Sequence, residues 1–258
     1  MEKRQGTIQS VDRALSIIEL LYEQDMELGV TEIAARSGLH KSTAFGLIST
    51  LDARGYITQN PQTGKYKLGL KFLEISSKIV DSIDERQIIR PYLEELSRKF
   101  GETVHYAVVD NDMVVYVDKV ESPRSLVMKS YIGKRNPLHC TGVGKCMLAY
   151  MDDAVRDEII ERGLDKYTEN TITDPTLLRR ELDFIRRNGY SIDDEEIELG
   201  LRCVAAPILD LRGNLIGGIS ISGPEMRMSE DRVQALIEAL KQTTKRVSKN
   251  VGKFLNVR

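Results

Sequence analysis

Apolar positions recur at four- and three-residue steps between residues 11 and 24. Val11, Leu15, Ile18 and Leu21 therefore predict a first helix with those side chains on its buried face. Leu28-Gly29-Val30 reads as a short extended piece. Thr31 stands where it can cap a second helix, with Glu32 near the positive end, Ile33 and Ala34 on the buried side, and Ser37-Gly38 as the stop. A third helix is expected from about His40. Its stripe of Ala44, Leu47, Ile48 and Leu51 follows helical spacing and leaves Ser42, Phe45, Gly46 and Ser49 on the opposite face. After Gly55, the extended stretches Tyr56-Ile57-Thr58 and Lys65-Tyr66-Lys67-Leu68 flank the turn-forming Asn60-Pro61-Gln62-Thr63-Gly64, which predicts a hairpin. Helix, helix, turn, helix, hairpin is the order of a winged helix-turn-helix. Leu68, Phe72, Ile75, Ile79 and Ile83 then share a face, widened by Leu73 and Val80. That stripe predicts a linker helix, too apolar to lie free in water, packed against a partner chain.

The period changes in the second half. A helix around Pro91 carries Leu93, Leu96 and Phe100. Thr103–Val109 and Met113–Val120 predict strands joined by the hairpin signal Asp110-Asn111-Asp112, and Ser125–Tyr131 predicts another strand. Thr141-Gly142-Val143-Gly144-Lys145 opens a helix running to Tyr150, and two amphipathic helices follow near 153–162 and 176–188. Strands are expected at Tyr190–Asp193, Cys203–Asp210 and Leu215–Ser222, the last two joined across Arg212-Gly213-Asn214, and a long helix from Ser229 closes the chain. Hairpins interleaved with helices predict an α+β domain on one antiparallel sheet. The expected domains are a winged helix-turn-helix over 7–68, a linker helix over 69–83 and a flanked antiparallel sheet over 84–253.

Composition narrows the function classes. In 258 residues, 37 Lys+Arg nearly balance 39 Asp+Glu, so contact with nucleic acid needs a local patch rather than a basic coat. No apolar run approaches the roughly 20 residues of a membrane span, and Met1–Gly6 leads into no secretory signal pattern. Three Cys at irregular spacing make a poor disulfide framework, which suits the cytoplasm. The local patch exists. Residues 36–67 hold Arg36, Lys41, Arg54, Lys65 and Lys67 against Asp52, whereas 19–32 hold Glu19, Glu23, Asp25, Glu27 and Glu32 with no Lys or Arg. The basic stretch coincides with the third helix and the hairpin, and the acidic one is expected to lie elsewhere. Thr31, His40, Lys41, Ser42, Thr43, Phe45, Ser49, Lys65 and Lys67 are the candidate DNA-facing residues. Short polar side chains and helix-start N–H groups suit phosphate or a base edge; Phe45 suits either a thymine methyl or packing on the wing.

In the second half, Thr141–Lys145 does not make a nucleotide-hydrolysing phosphate loop, because His139 and Cys146 occupy positions that require Gly and Ser/Thr. A tight turn before a packed helix and a small-anion cradle both remain open readings. Ser220 and Ser222 alternate with Ile219 and Ile221 and so share one strand face. Cys203 reads as a small buried hydrophobe, or, with His105 or His139, as part of a zinc or hydrolase site, although the spacing matches no known metal pattern.

Ser10-Val11-Asp12-Arg13-Ala14-Leu15, Val30–Ala34, Ser37–Thr43 and Leu51–Tyr56 closely resemble the IclR family of bacterial regulators, as do Gly101–Val104, Thr141–Lys145 and Gly200–Pro207. The resemblance covers nearly the whole chain. It implies a winged helix-turn-helix, a linker helix and a GAF-like effector domain, acting as a homodimer or homotetramer on double-stranded operator DNA. It further implies an effector pocket lined by Met128, Thr141, Gly142, Val143, Asp193, Cys203, Ser220 and Ser222. The expected function is a repressor of a catabolic operon controlled by a small organic acid or sugar acid, with no catalytic residues, cofactor or metal. Members often carry a basic residue where this chain has Gly46, so operator preference does not carry over.

Overall fold

The computed structural model describes residues 8–24, 26–82, 84–124 and 130–255, apart from the side chains of 79–84 and 252–255. The chain divides into two compact units, Met1–Ser82 and Ile83–Arg258. Among the described residues no helix is long and apolar enough to cross a membrane.

The first unit runs α1 (Gln9–Glu23), α2 (Val30–Arg36), α3 (Lys41–Ala53), β1 (Ile57–Gln59), β2 (Tyr66–Leu68) and α4 (Lys71–Ser82). Ile17, Leu21, Leu28, Ile33, Ala44, Ile48, Leu51, Ile57 and Tyr66 form its core. The stripe expected on α3 is the one that packs, with Leu47 half-buried. That on α1 packs only in part: Val11 and Leu15 are each 53% exposed, while Ile17 and Leu21 are buried and Ala14 and Ile18 partly so. This helix is apolar on more than one face, and spacing placed Ile18 and Leu21 correctly but not Val11 and Leu15. Thr31 is not the cap of α2. The helix starts one residue earlier after Gly29, whose N–H donates to the Glu32 carboxylate at 2.7 Å. Leu28 pairs both ways with Tyr66 (3.0 and 2.8 Å), an isolated antiparallel bridge beside the two-stranded wing. Leu68 ends β2 and so lies off the linker stripe. Phe72 packs edge-on against Tyr56 of its own chain at 5.5 Å, Leu73 is 66% exposed, and the side chain of Ile79 lies outside the described residues.

The second unit contains α5 (Asp84–Phe100), β3 (Thr103–Asp110), β4 (Met113–Val120), β5 (Arg135–Pro137), α6 (Gly142–Leu148), α7 (Asp153–Glu161), α8 (Pro175–Asn188), β6 (Ser191–Asp194), β7 (Leu201–Leu209), β8 (Leu215–Pro224) and α9 (Glu230–Leu255). The strands form one antiparallel sheet in the order β5-β4-β3-β8-β7-β6. Asn111 and Asp112 both take positive φ (45° and 61°), the geometry of the tight hairpin expected between β3 and β4. β5 was not foreseen. The strand expected over Ser125–Tyr131 falls mostly outside the described residues, and Ser130 and Tyr131 are not in a strand.

Helices cover both faces of the sheet, and strand alternation sorts the side chains between them. Val104, Tyr106, Val204, Ala206, Ile208, Ile219 and Ile221 face α5 and α9. Ala107, Val114, Tyr116 and Ala205 pack with α6, α7 and α8. Helix α6 seats very closely. A Cβ at Gly144 would collide with Thr141 Oγ1 and stand 2.6 Å from the Leu138 carbonyl, and one at Gly218 would stand 2.7 Å from Val143 Cγ2.

Gly144→Ala is therefore expected to destabilise this unit by about 1–3 kcal/mol, since the obstructing atoms include backbone. Gly46→Ala, with open space around the added Cβ, is expected to stabilise α3 by about 0.5–1 kcal/mol. Thermal and denaturant unfolding of the two variants check both signs.

Candidate functional site

Two surfaces gather the candidate residues. On the first unit, Lys41, Ser42, Thr43, Phe45 and Ser49 are all exposed on α3, His40 is its N-cap, and Thr31 is exposed on α2. Phe45 is 56% exposed. Lys65 and Lys67 project from β2 and its approach, but the acidic stretch is not remote from them. Lys65 lies 3.4 Å from Glu32, and Lys67 lies 3.6 Å from Glu27. The antiparallel pairing of Leu28 with Tyr66 brings the two charge runs together, which linear separation could not reveal. Both lysines are solvent-exposed and neither pair is closer than 3.4 Å, so each is weak and open to exchange for a phosphate.

The second surface is a cavity in the other unit. Two cross-strand rows build it on the α6 face of the sheet. Thr103, Ser222, Cys203 and Asp193 form one row across β3, β8, β7 and β6; His105, Ser220, Ala205 and Ser191 form the next. Over these rows sits the start of α6. Thr141 caps it, its Oγ1 accepting from Gly144 N–H at 3.1 Å and donating to the Pro137 carbonyl at 3.0 Å. A Cβ at Gly142 would touch Cys203 Cβ at 3.2 Å, so the helix start rests on the strand. Of the sequence-predicted residues, Thr141, Gly142, Val143, Asp193, Cys203, Ser220 and Ser222 line one cavity together. Met128 lies outside the described residues. The proposed anion cradle is narrower than expected, because the Gly144 N–H is already taken by Thr141. The cavity holds about 40 Å³, room for water and well short of the roughly 300 Å³ at which small-molecule sites begin.

Sequence reasoning missed further wall residues: Tyr116, Ser130, Lys134, Asn136, Ile197, Glu198 and Leu201. Tyr116 was legible only as part of a strand. A bulge in the β3–β4 register near Tyr106 and Ala107 sets which of its neighbours share its face. Asn136 belongs to the unforeseen β5.

The site's electrostatics are those of a desolvated polar chamber. Asp193 Oδ1 accepts from Glu196 N–H at 2.8 Å while Oδ2 is buried without a partner among the described residues. Burial lifts the carboxyl from its ordinary 3.8 to about 7, against the lowering effect of that hydrogen bond. Burial, then the neighbouring Asp193, pushes the Cys203 thiol up, opposite to what a thiolate nucleophile needs. His105 behind the chamber stacks on Tyr116 at 4.3 Å and holds Ser130 Oγ through Nε2 at 2.8 Å. Burial drives its pKa down to about 3, keeping the ring neutral. Under the helix, the buried Lys145 ammonium pairs with Glu196 and, at 3.3 Å, with Glu181. The zinc or hydrolase reading finds no geometry. His105 is engaged by Ser130, His139 Nε2 lies 2.9 Å from the Asp165 carbonyl oxygen, and no group of three metal-ligating side chains occurs among the described residues.

Comparison with known proteins agrees. Residues 10–61 match the IclR helix-turn-helix domain, and 77–249 match the bacterial transcriptional regulator IclR C-terminal domain. The HTH-type transcriptional regulator XynR of Escherichia coli is 39% identical over 95% of this chain and 98% of its own. The transcriptional repressor IclR of the same organism is 35% identical over 93% of this chain and 90% of its own. The crystal structure of the Thermotoga maritima IclR superposes with a TM-score of 0.80 at 31% identity, over 95% of this chain and all of that one.

The two shifted buried groups oppose each other in pH. Between about pH 4 and pH 6.5 the folded chain holds a proton on Asp193 that the unfolded chain releases, so this group makes stability fall as pH rises. Over the same window folded His105 refuses a proton that the unfolded chain takes, so it makes stability rise with pH. Asp193→Asn removes the first effect alone. The variant is expected to melt higher than the parent at about pH 8, where an ionised Asp193 suffers its burial cost, and to lose stability more steeply on acidification below about pH 6.5. Melting curves that run parallel to the parent's at every pH would contradict this.

Proposed function

The chain belongs to the IclR family of bacterial transcriptional regulators, with a DNA-binding domain and a C-terminal ligand-binding domain, and from that premise we propose that it is a repressor whose hold on operator DNA is set by a small hydroxylated organic acid. The observation that carries the effector reading is the chamber beneath α6, which at about 40 Å³ must widen to admit such a ligand. Hydroxyls of Ser130, Thr141, Ser220 and Ser222 line it, Lys134 adds a cationic side chain, and Tyr116, Val143, Ile197 and Leu201 supply apolar walls. Such a lining favours a ligand rich in hydroxyl groups, with a carboxylate toward Lys134 and the N–H groups of Gly142 and Val143. Asp193, whose Oδ2 has no partner among the described residues, suits a ligand hydroxyl better than the acid group, since two bare carboxylates repel. The repressor role is supported by the Escherichia coli relative, which is itself a transcriptional repressor. Control of DNA requires the ligand to prefer one arrangement of the protein; tight binding to both would shift nothing.

A homodimer reading on a symmetric operator is supported by apolar side chains that the first unit leaves in water. Val11 and Leu15 on α1, with Leu70 and Leu73 at α4, are all more than half exposed. A second copy of this chain would cover such faces and present two α3 helices to successive half-sites.

At about 100 times its Kd the effector should stabilise the protein by about 2.7 kcal/mol, which a thermal-shift screen of short hydroxy acids and sugar acids would detect. Ser220→Ala with Ser222→Ala is expected to abolish that shift while leaving ligand-free DNA binding intact; a normal response in the double variant places the effector elsewhere.

On the DNA side, Lys41→Ala should weaken binding to promoter DNA and lower the slope of log affinity against log salt by about 1, the signature of one lost phosphate contact. Titrations at several salt concentrations measure both, and an unchanged slope removes Lys41 from the phosphate-binding set.

A further inference from the structure

The wing turn is organised by a residue outside it. The Glu27 carboxylate accepts from Asn60 Nδ2 at 2.9 Å and from Thr63 Oγ1 at 3.0 Å. Those two side chains in turn shape the tip: Asn60 Oδ1 accepts from Gln62 N–H at 2.9 Å, and Thr63 Oγ1 accepts from Lys65 N–H at 3.3 Å. With Nδ2 bound to Glu27, the Asn60 amide must present its oxygen to the turn. With its proton given to Glu27, the Thr63 hydroxyl is left as an acceptor for the Lys65 backbone. One carboxylate thus fixes the polarity of both groups, at a point where Leu28 next door already pairs with Tyr66. The Asn60 hydrogen bond also holds the Glu27 carboxyl below its ordinary pKa, so it stays ionised.

By charge alone Glu27 is out of place. It is a half-buried carboxylate on a surface read as facing phosphate, and it sits 3.6 Å from Lys67, partly neutralising it. Deleting a like charge should improve association with DNA. We infer that Glu27 is a positioning residue for DNA binding: it locks the Asn60–Lys65 turn so that the Lys65 and Lys67 side chains meet the backbone of the duplex. This rests on the reading that the wing contacts phosphate.

The charge effect and the positioning effect have opposite signs, which makes them separable. Binding of the full chain to a fluorescent mixed-sequence DNA duplex needs no knowledge of the operator, because phosphate contacts supply non-specific affinity. Glu27→Gln keeps one acceptor oxygen and drops the charge, so it should bind at least as tightly as the parent. Glu27→Ala drops both, and should bind about fivefold more weakly than Glu27→Gln with a shallower salt dependence, as expected when a phosphate contact is lost. Asn60→Ala removes the main donor without touching the carboxylate, and should reproduce the loss. Melting temperatures should stay near the parent's, because these side chains lie at the surface. Glu27→Ala binding as tightly as Glu27→Gln overturns the proposal. Lys65→Ala separates the two levels. If it binds like the parent, the wing does not meet phosphate and the proposal falls with that reading. If it weakens binding while Glu27→Ala does not, the wing reading stands and only the role of Glu27 falls.

Discussion

The close seating of α6 on the sheet is the contact on which the sensing unit depends. Gly142 and Gly218 leave no room for side chains between the helix start and strands β7 and β8. Val143, Cys146 and Met147 fill the buried contact on the α6 side of the sheet. Without that approach the row of Ser222, Cys203 and Asp193 would open to water, and the chamber would be a shallow polar face. With it, the row is desolvated. Desolvation is what raises the Asp193 carboxyl, raises the Cys203 thiol and lowers His105.

The same seating forces a charge into the interior. Lys145 lies one helical turn into α6 and is 1% exposed, so its ammonium is tolerable only because Glu196 and Glu181 meet it. Glu196 also donates its backbone N–H to Asp193. The floor of the chamber, the buried ion group and the surface of α8 are therefore joined through consecutive contacts.

The DNA-binding unit solves a different electrostatic problem. Its basic residues are few, and those of the wing are interleaved with Glu27 and Glu32. Surface ion pairs of this kind are weak enough to yield to phosphate, yet the hydrogen bonds of Glu27 to Asn60 and Thr63 give the turn a defined shape before DNA arrives. Near neutrality of the whole chain is thus compatible with a local binding face, because the acidic groups are used as structure at the base of the wing.

How much of this was legible in the sequence follows from which signals are local. Helical spacing located α3 and its buried stripe, the Asp110–Asp112 turn located the β3–β4 hairpin, and strand alternation put Ser220 and Ser222 on one face. Family motifs then named seven of the residues that the fold brings around one cavity. Period could not choose between the two apolar faces of α1, because both satisfy the same spacing. It could not see that Gly29, not Thr31, caps α2, since the choice depends on where the Leu28–Tyr66 pairing releases the chain. Nor could it find Ser130, Asn136 or the Glu27–Asn60 contact. Each depends on strand register or on chain segments brought together across long separations. The sequence by itself determined the elements, their order and the alternation that segregates polar from apolar side chains on each strand. Only the tertiary structure decided which polar faces are buried, which charges meet and which helix faces remain in water, because those outcomes depend on what packs opposite each residue, and no residue carries its partner in its own neighbourhood.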